Sequence, residues 1–226
     1  MNGRALGVAV LLAALVAGCG GKSLSATQIV AQSAAKTGKL TSFHLVVDIE
    51  NVPASKTGIS LTFVDGDVAV PDKVQARVAG TLLGVPLQSE LIVIGKRHYL
   101  KDPFSGKWQL APISMTAIAF FDPTKGVLAV VEGASGLAKA GSEDVDGVST
   151  YRLTGKVRAA TLTPLLGNPA SATLLPVELW IGKHDLLLRR VRLSGPISAS
   201  DGKTAVRTVD LSGFDRPVSI SPPAGH

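Results

Sequence analysis

Residues able to do chemistry are scarce in this chain, and the most telling is a thiol near its start. Cys19 is the single cysteine, and it directly follows Leu15-Val16-Ala17-Gly18. Small residues ahead of a cysteine match a lipobox. In that motif the thiol takes a diacylglycerol in thioether linkage, a signal peptidase cuts just before it, and the freed amine is acylated in turn. Val16 stands where leucine is more usual. The other use of Cys19 is a free thiol behind an ordinary secretory signal. Either way no intramolecular disulfide can form, so an exported domain must be held by its apolar core.

The remaining candidates do not assemble into a catalytic set. The four histidines stand at 44, 98, 184 and 226. His44 is expected on the wet face of a strand, His98 and His184 in turns, and His226 ends the sequence. HExxH, paired CxxC and Gly-x-Ser-x-Gly are all missing from the sequence, so the zinc-protease and hydrolase readings have no motif to support them. The acidic run Ser142-Glu143-Asp144-Val145-Asp146-Gly147 lacks the ligand spacing of an EF-hand and reads as a solvated hairpin turn. No catalytic residue, metal ligand or cofactor is assigned, and an enzyme is not expected.

The elements that position these residues begin with Arg4 and an uncharged apolar run from Ala5 to Ala17. Such a run falls short of the roughly 20 residues that cross a hydrocarbon core, so residues 1–18 read as a cleaved signal peptide. Residues 19–24 form a lipidated tether on Cys19, residues 25–218 a single domain, and residues 219–226 a flexible tail. The formal charge of +6 is spread along the chain. It forms no Lys/Arg cluster interleaved with aromatics, so a nucleic-acid partner is not expected. Attraction to anionic lipid headgroups is the simpler consequence.

Ser25-Ala26-Thr27-Gln28 fits a capping box and predicts a helix over 26–37, with Ile29, Val30 and Ala34 on one stripe and Gly38 at its end. From Phe43 the period becomes two. Phe43, Leu45, Val47 and Ile49 alternate with His44, Asp48 and Glu50, the signature of a strand with one wet face. Leu61 and Phe63, then Val74, Ala76 and Val78, then Leu87, Leu91 and Val93 continue the pattern. Further strands are expected near 147–157, 174–182, 186–195 and 204–213, joined by turns such as Asp146-Gly147 and Asp201-Gly202. Asp122-Pro123 predicts a helix start leading into Val127, Leu128, Val130 and Val131, and 159–166 a second short helix. Gly80, Gly84, Gly95 and Gly155, within or beside strands, predict bends and a strongly curved sheet.

The order of these features resembles the actinobacterial LppX/LprA/LprF/LprG lipoprotein family. Local matches are Tyr151-Arg152-Leu153-Thr154-Gly155, Val177-Glu178-Leu179-Trp180-Ile181-Gly182 and Leu188 through Gly195. The resemblance implies an α+β fold: a strongly curved antiparallel β half-barrel, as in the LolA and LolB carriers, with helices covering its concave apolar face. It implies a membrane-anchored protein on the extracytoplasmic face that binds the acyl chains of lipids or lipoglycans in a hydrophobic cavity, carries or presents them in the envelope, and works with an envelope transporter as partner. The inward-reading residues that would line this cavity are Phe43, Leu45, Val47, Ile49, Leu61, Phe63, Val78, Leu91, Val93, Leu153, Leu179 and Val191. Withdrawing a chain of ~16 carbons from a membrane gives up roughly 12 kcal/mol, so only a long uncharged lining could receive it. Pattern alone favours a close-packed core of the same residues, and the tether and the resemblance reverse that preference. The alternative function is an envelope sensor or scaffold that contacts a protein partner through the same fold.

Overall fold

The computed structural model describes residues 23–53, 59–110, 126–162, 173–197 and 201–225. Cys19 and the Asp122-Pro123 helix start lie outside the described residues, as does the part of the second expected helix beyond Leu162. No helix among the described residues is long and apolar enough to cross a membrane.

Helix α1 (Ala26–Thr37) forms as its caps dictate. The Gln28 amide donates to the Ser25 hydroxyl at 3.2 Å while the Ser25 amide donates to Gln28 Oε1 at 2.9 Å, satisfying two first-turn donors. Gly38 ends the helix in a right-handed conformation, its amide donating to the Ala34 carbonyl at 2.9 Å. The buried stripe is Ile29, Val30, Ser33 and Thr37, whereas Ala34 is only half-buried. The Thr37 hydroxyl accepts from the Leu188 amide at 3.1 Å, fixing the end of α1 to the sheet.

Among the described residues, eleven strands make one antiparallel sheet: β1 (Ser42–Glu50), β2 (Ile59–Ala69), β3 (Lys73–Leu82), β4 (Val85–Ile94), β5 (Arg97–Lys101), β6 (Trp108–Leu110), β7 (Ser135–Val145), β8 (Val148–Arg158), β9 (Leu174–Gly182), β10 (Leu188–Ser194) and β11 (Val206–Ser212). Their order is β6-β5-β4-β3-β2-β1-β11-β10-β9-β8-β7. Two meanders therefore meet where the first strand pairs with the last, and β6 and β7 remain as edges, so the sheet is unclosed. Helix α2 (Val127–Glu132) and a short 3-10 turn (Ala159–Leu162) flank the second meander.

Bulges bend the sheet at several places. In β2, Leu61 pairs with Gly80 and Phe63 with Ala79, which leaves Thr62 as the extra residue. Gly80 is required there, because a Cβ would collide with the Ser60 carbonyl. Further shifts occur between β7 and β8 and between β9 and β10. The Asp146-Gly147 turn has both residues at positive φ, 49° and 76°, as a two-residue hairpin demands.

The wet face carries a charged ladder. Trp180 lies between the guanidinium groups of Arg152 and Arg190, 5.7 and 5.8 Å from its ring centre. Arg152 pairs with Glu178 and Arg190 with Asp210, each at 2.5 Å. Both partners push these guanidinium pKa values up. At the start of β1, the Thr41 amide and hydroxyl donate to Asp215 at 2.7 and 2.8 Å and hold its carboxyl below the usual range.

After β11 the chain returns to the outer side of the sheet. Ile220 is buried with Ile92 and Tyr99, and Val218, Ile94 and Trp108 pack around them. An apolar patch on the outer side of β4 and β5 thus receives Ile220.

Candidate functional site

Directly paired residues of neighbouring strands share a face, so the register reads out what each face presents. One row runs across seven strands as Leu153, Leu179, Val191, Val209, Val47, Val64 and Val78. A second runs as Leu211, Leu45, Gly66, Ala76, Leu91 and Leu100. A third joins Phe43, Val68, Val74 and Val93. All three belong to one apolar cluster, which also takes in Ile29 and Val30 of α1 and Val130 and Val131 of α2. This face is the candidate site, since its chemistry suits hydrocarbon and little else.

Of the residues expected to face inward, Phe43, Leu45, Val47, Val78, Leu91, Val93, Leu153, Leu179 and Val191 are buried members of this cluster. Ile49 and Leu61 are half-buried against it. Phe63 is not. The extra residue at Thr62 shifts the alternation by one, so that Val64, Val68 and the Gly66 backbone turn inward and Phe63 falls on the other face. There Phe63 lines a recess of about 430 Å³ with Asp65, Arg77, Glu90 and Lys101. Glu90 and Lys101 form an ion pair at 2.5 Å, so charged groups stand beside Phe63 there, unlike in the inward rows.

The histidines divide by face. The His44 ring contacts Asp67 at 2.9 Å through Nδ1 and Asp65 at 3.4 Å through Nε2, on the wet side. His98 does not lie in a turn but in β5, opposite Val93, where burial lowers its pKa. Its Nδ1 is buried without a partner. His184 lies in the turn after β9. Asp102 is held below the usual carboxylate range by the Ser105 amide and hydroxyl, an arrangement that stabilises the turn between β5 and β6.

One charged residue on the apolar face escaped the sequence reading. Arg207 pairs with Leu193 on one side and Ile49 on the other, and its side chain is only 7% exposed. Nη2 donates to Asp201 Oδ2 at 2.7 Å, and the same oxygen accepts from the Ile197 amide at 2.9 Å. The available signal was the alternation Ala205, Arg207, Val209, Leu211, in which a single arginine interrupts an otherwise apolar series.

Comparison with known proteins converges on one group. The model of the LppX_LprAFG lipoprotein family matches residues 25–220. The chain is 28% identical over 227 residues to the lipoarabinomannan carrier protein LprG of Mycobacterium leprae, covering 93% of this chain and 90% of that one. It is 29% identical over 181 residues to the putative phthiocerol dimycocerosate transporter LppX of Mycobacterium tuberculosis, covering 77% and 74%. Among solved structures, LprF from Mycobacterium bovis superposes with a TM-score of 0.70 at 25% identity, covering 88% of this chain and 97% of that one.

Proposed function

Since the chain belongs to the LppX_LprAFG lipoprotein family, we propose that it binds the acyl chains of a lipid or lipoglycan against the apolar face of its sheet and carries or presents them in the cell envelope. The observation that carries this reading is the unbroken aliphatic row from Leu153 to Val78, seven strands wide. Relatives named as a lipoarabinomannan carrier, a putative phthiocerol dimycocerosate transporter and a putative diacylated glycolipid transporter support it. In this reading α1 and α2 lie over the concave side, and hydrocarbon occupies volume between them and the sheet. The shared cluster of Ile29, Val30, Val130 and Val131 with the strand residues supports that placement. Residues 25–218 act as one carrier unit with no catalytic group of their own. The unit is tethered by acylated Cys19 to the extracytoplasmic face of the membrane and exchanges lipid with an envelope transporter.

Leu91→Trp tests the reading in the second inward row. Leu91 stands between Ala76 and Leu100, with Gly66 beyond the alanine, so an indole at 91 projects over the two small residues into the volume assigned to lipid. Protein made without residues 1–19 is expected to carry lipid in native mass spectrometry. Leu91→Trp is expected to carry severalfold less, with an unchanged circular-dichroism spectrum. Wild-type protein that carries no lipid and takes up none on titration ends the carrier reading.

A further inference from the structure

Arg207 is costly where it stands. A guanidinium has five N–H donors and no neutral form at accessible pH, and a buried donor without a partner loses its hydration for nothing. Asp201, with a carboxylate 1% exposed, takes Nη2 and supplies the counter-charge. Nη1, on the same fork, is buried with no hydrogen-bond partner. Arg207 stands between Leu193 and Ile49 across the strands, and Ala205 and Val209 flank it two residues away along the chain, all apolar. An apolar residue of similar volume, with Asp201 replaced as well, would be no less stable by general experience of buried ion pairs. An arginine with one hand engaged and one free on a face otherwise fit for hydrocarbon is therefore better explained by a ligand than by stability.

The geometry points to Arg207 Nη1 as the donor that binds an acyl-ester carbonyl of the lipid, the polar atom met first where hydrocarbon ends. This inference rests on the carrier reading above and adds the chemistry of recognition to it. A neutral carbonyl suits the site better than a phosphate. Asp201 already balances the guanidinium, and a second anion beside this buried pair would be repelled by that carboxylate. An ether oxygen, a much weaker acceptor, would leave Nη1 unsatisfied.

The test compares dipalmitoylglycerol with its dihexadecyl ether analogue, titrated into protein lacking residues 1–19. Wild-type protein is expected to bind the ester about tenfold more tightly, the effect of one hydrogen bond from a charged donor. The double variant Arg207→Met with Asp201→Asn removes both charges together, leaves an amide oxygen for the Ile197 N–H, and should bind both lipids equally. Arg207→Lys keeps a charge for Asp201 without the second arm of the fork, and is expected to lose the preference too, which covers the case of a double variant that does not fold. Equal binding of ester and ether by the wild type overturns the assignment while leaving the carrier reading intact. A preference that survives in the variants also overturns it, whereas wild-type protein that binds neither lipid overturns the carrier reading itself.

Discussion

Gly66 shows how one missing side chain can set the shape of a binding face. It lies in the inward row between Leu45 and Ala76, and a Cβ there would stand 2.5 Å from both the Ala76 Cβ and the Gln75 carbonyl oxygen. Backbone, not a flexible side-chain tip, blocks the added atom, so β2 and β3 would have to separate or twist to admit it. Gly66→Ala is therefore expected to destabilise the fold by about 1–3 kcal/mol, as overpacking of a tight core does. The effect is readable as a fall in the chemical-denaturation midpoint with an unchanged slope. A stability equal to wild type would show that the strands accommodate the methyl and that the glycine serves only the strand's own conformation. The residue scale is also where pattern reading reached its limit. The burial of Leu45, Val47, Leu153 and Leu179 follows from alternation alone, but Arg207 looks like any arginine until register places Leu193 and Ile49 beside it.

At the level of elements, what was legible in the sequence is what local physics writes there. The capping box at Ser25 and Gln28 marks the start of α1 because both reciprocal bonds are made within four residues. Removing one of them with Ser25→Ala is expected to cost about 1 kcal/mol. The measurable sign is faster amide exchange in the first turn of α1, while exchange in β9 and β10 stays as it was. Strands with one wet and one apolar face were legible for the same reason, from β1 through β4 and from β8 through β11. β7 was not, because it is an exposed edge rich in Gly, Ala and Ser whose side chains carry almost no burial signal. The fate of Phe63 was illegible too. Alternation assumes an unbroken ladder, and the extra residue at Thr62 exists only because Gly80 on the neighbouring strand lets β2 approach. A bulge is a property of two strands at once, whereas a one-strand pattern contains only half of it.

For the whole molecule, a tether would keep the sheet close to its lipid source. Helix α1 begins at Ala26, and a fully extended stretch from Cys19 to Ser25 reaches about 20 Å at ~3.5 Å per residue. A thioether-held diacylglycerol on Cys19 would thus keep the domain within roughly its own radius of the bilayer. Two buried chains suffice for stable anchoring where one gives only reversible contact. Trypsin cuts after Lys22, so wild-type protein from its own envelope should yield the peptide Cys19-Gly20-Gly21-Lys22 carrying the mass of its acyl groups, with no trace of residues 1–18. Cys19→Ser should remove both signatures together, giving an unacylated chain that retains its first 18 residues, because the peptidase acts on the already lipidated cysteine. A wild-type protein whose Cys19 reacts quantitatively with a maleimide would have a free thiol and no anchor. The apolar face and its arginine would then belong to a soluble carrier that meets the membrane only by diffusion.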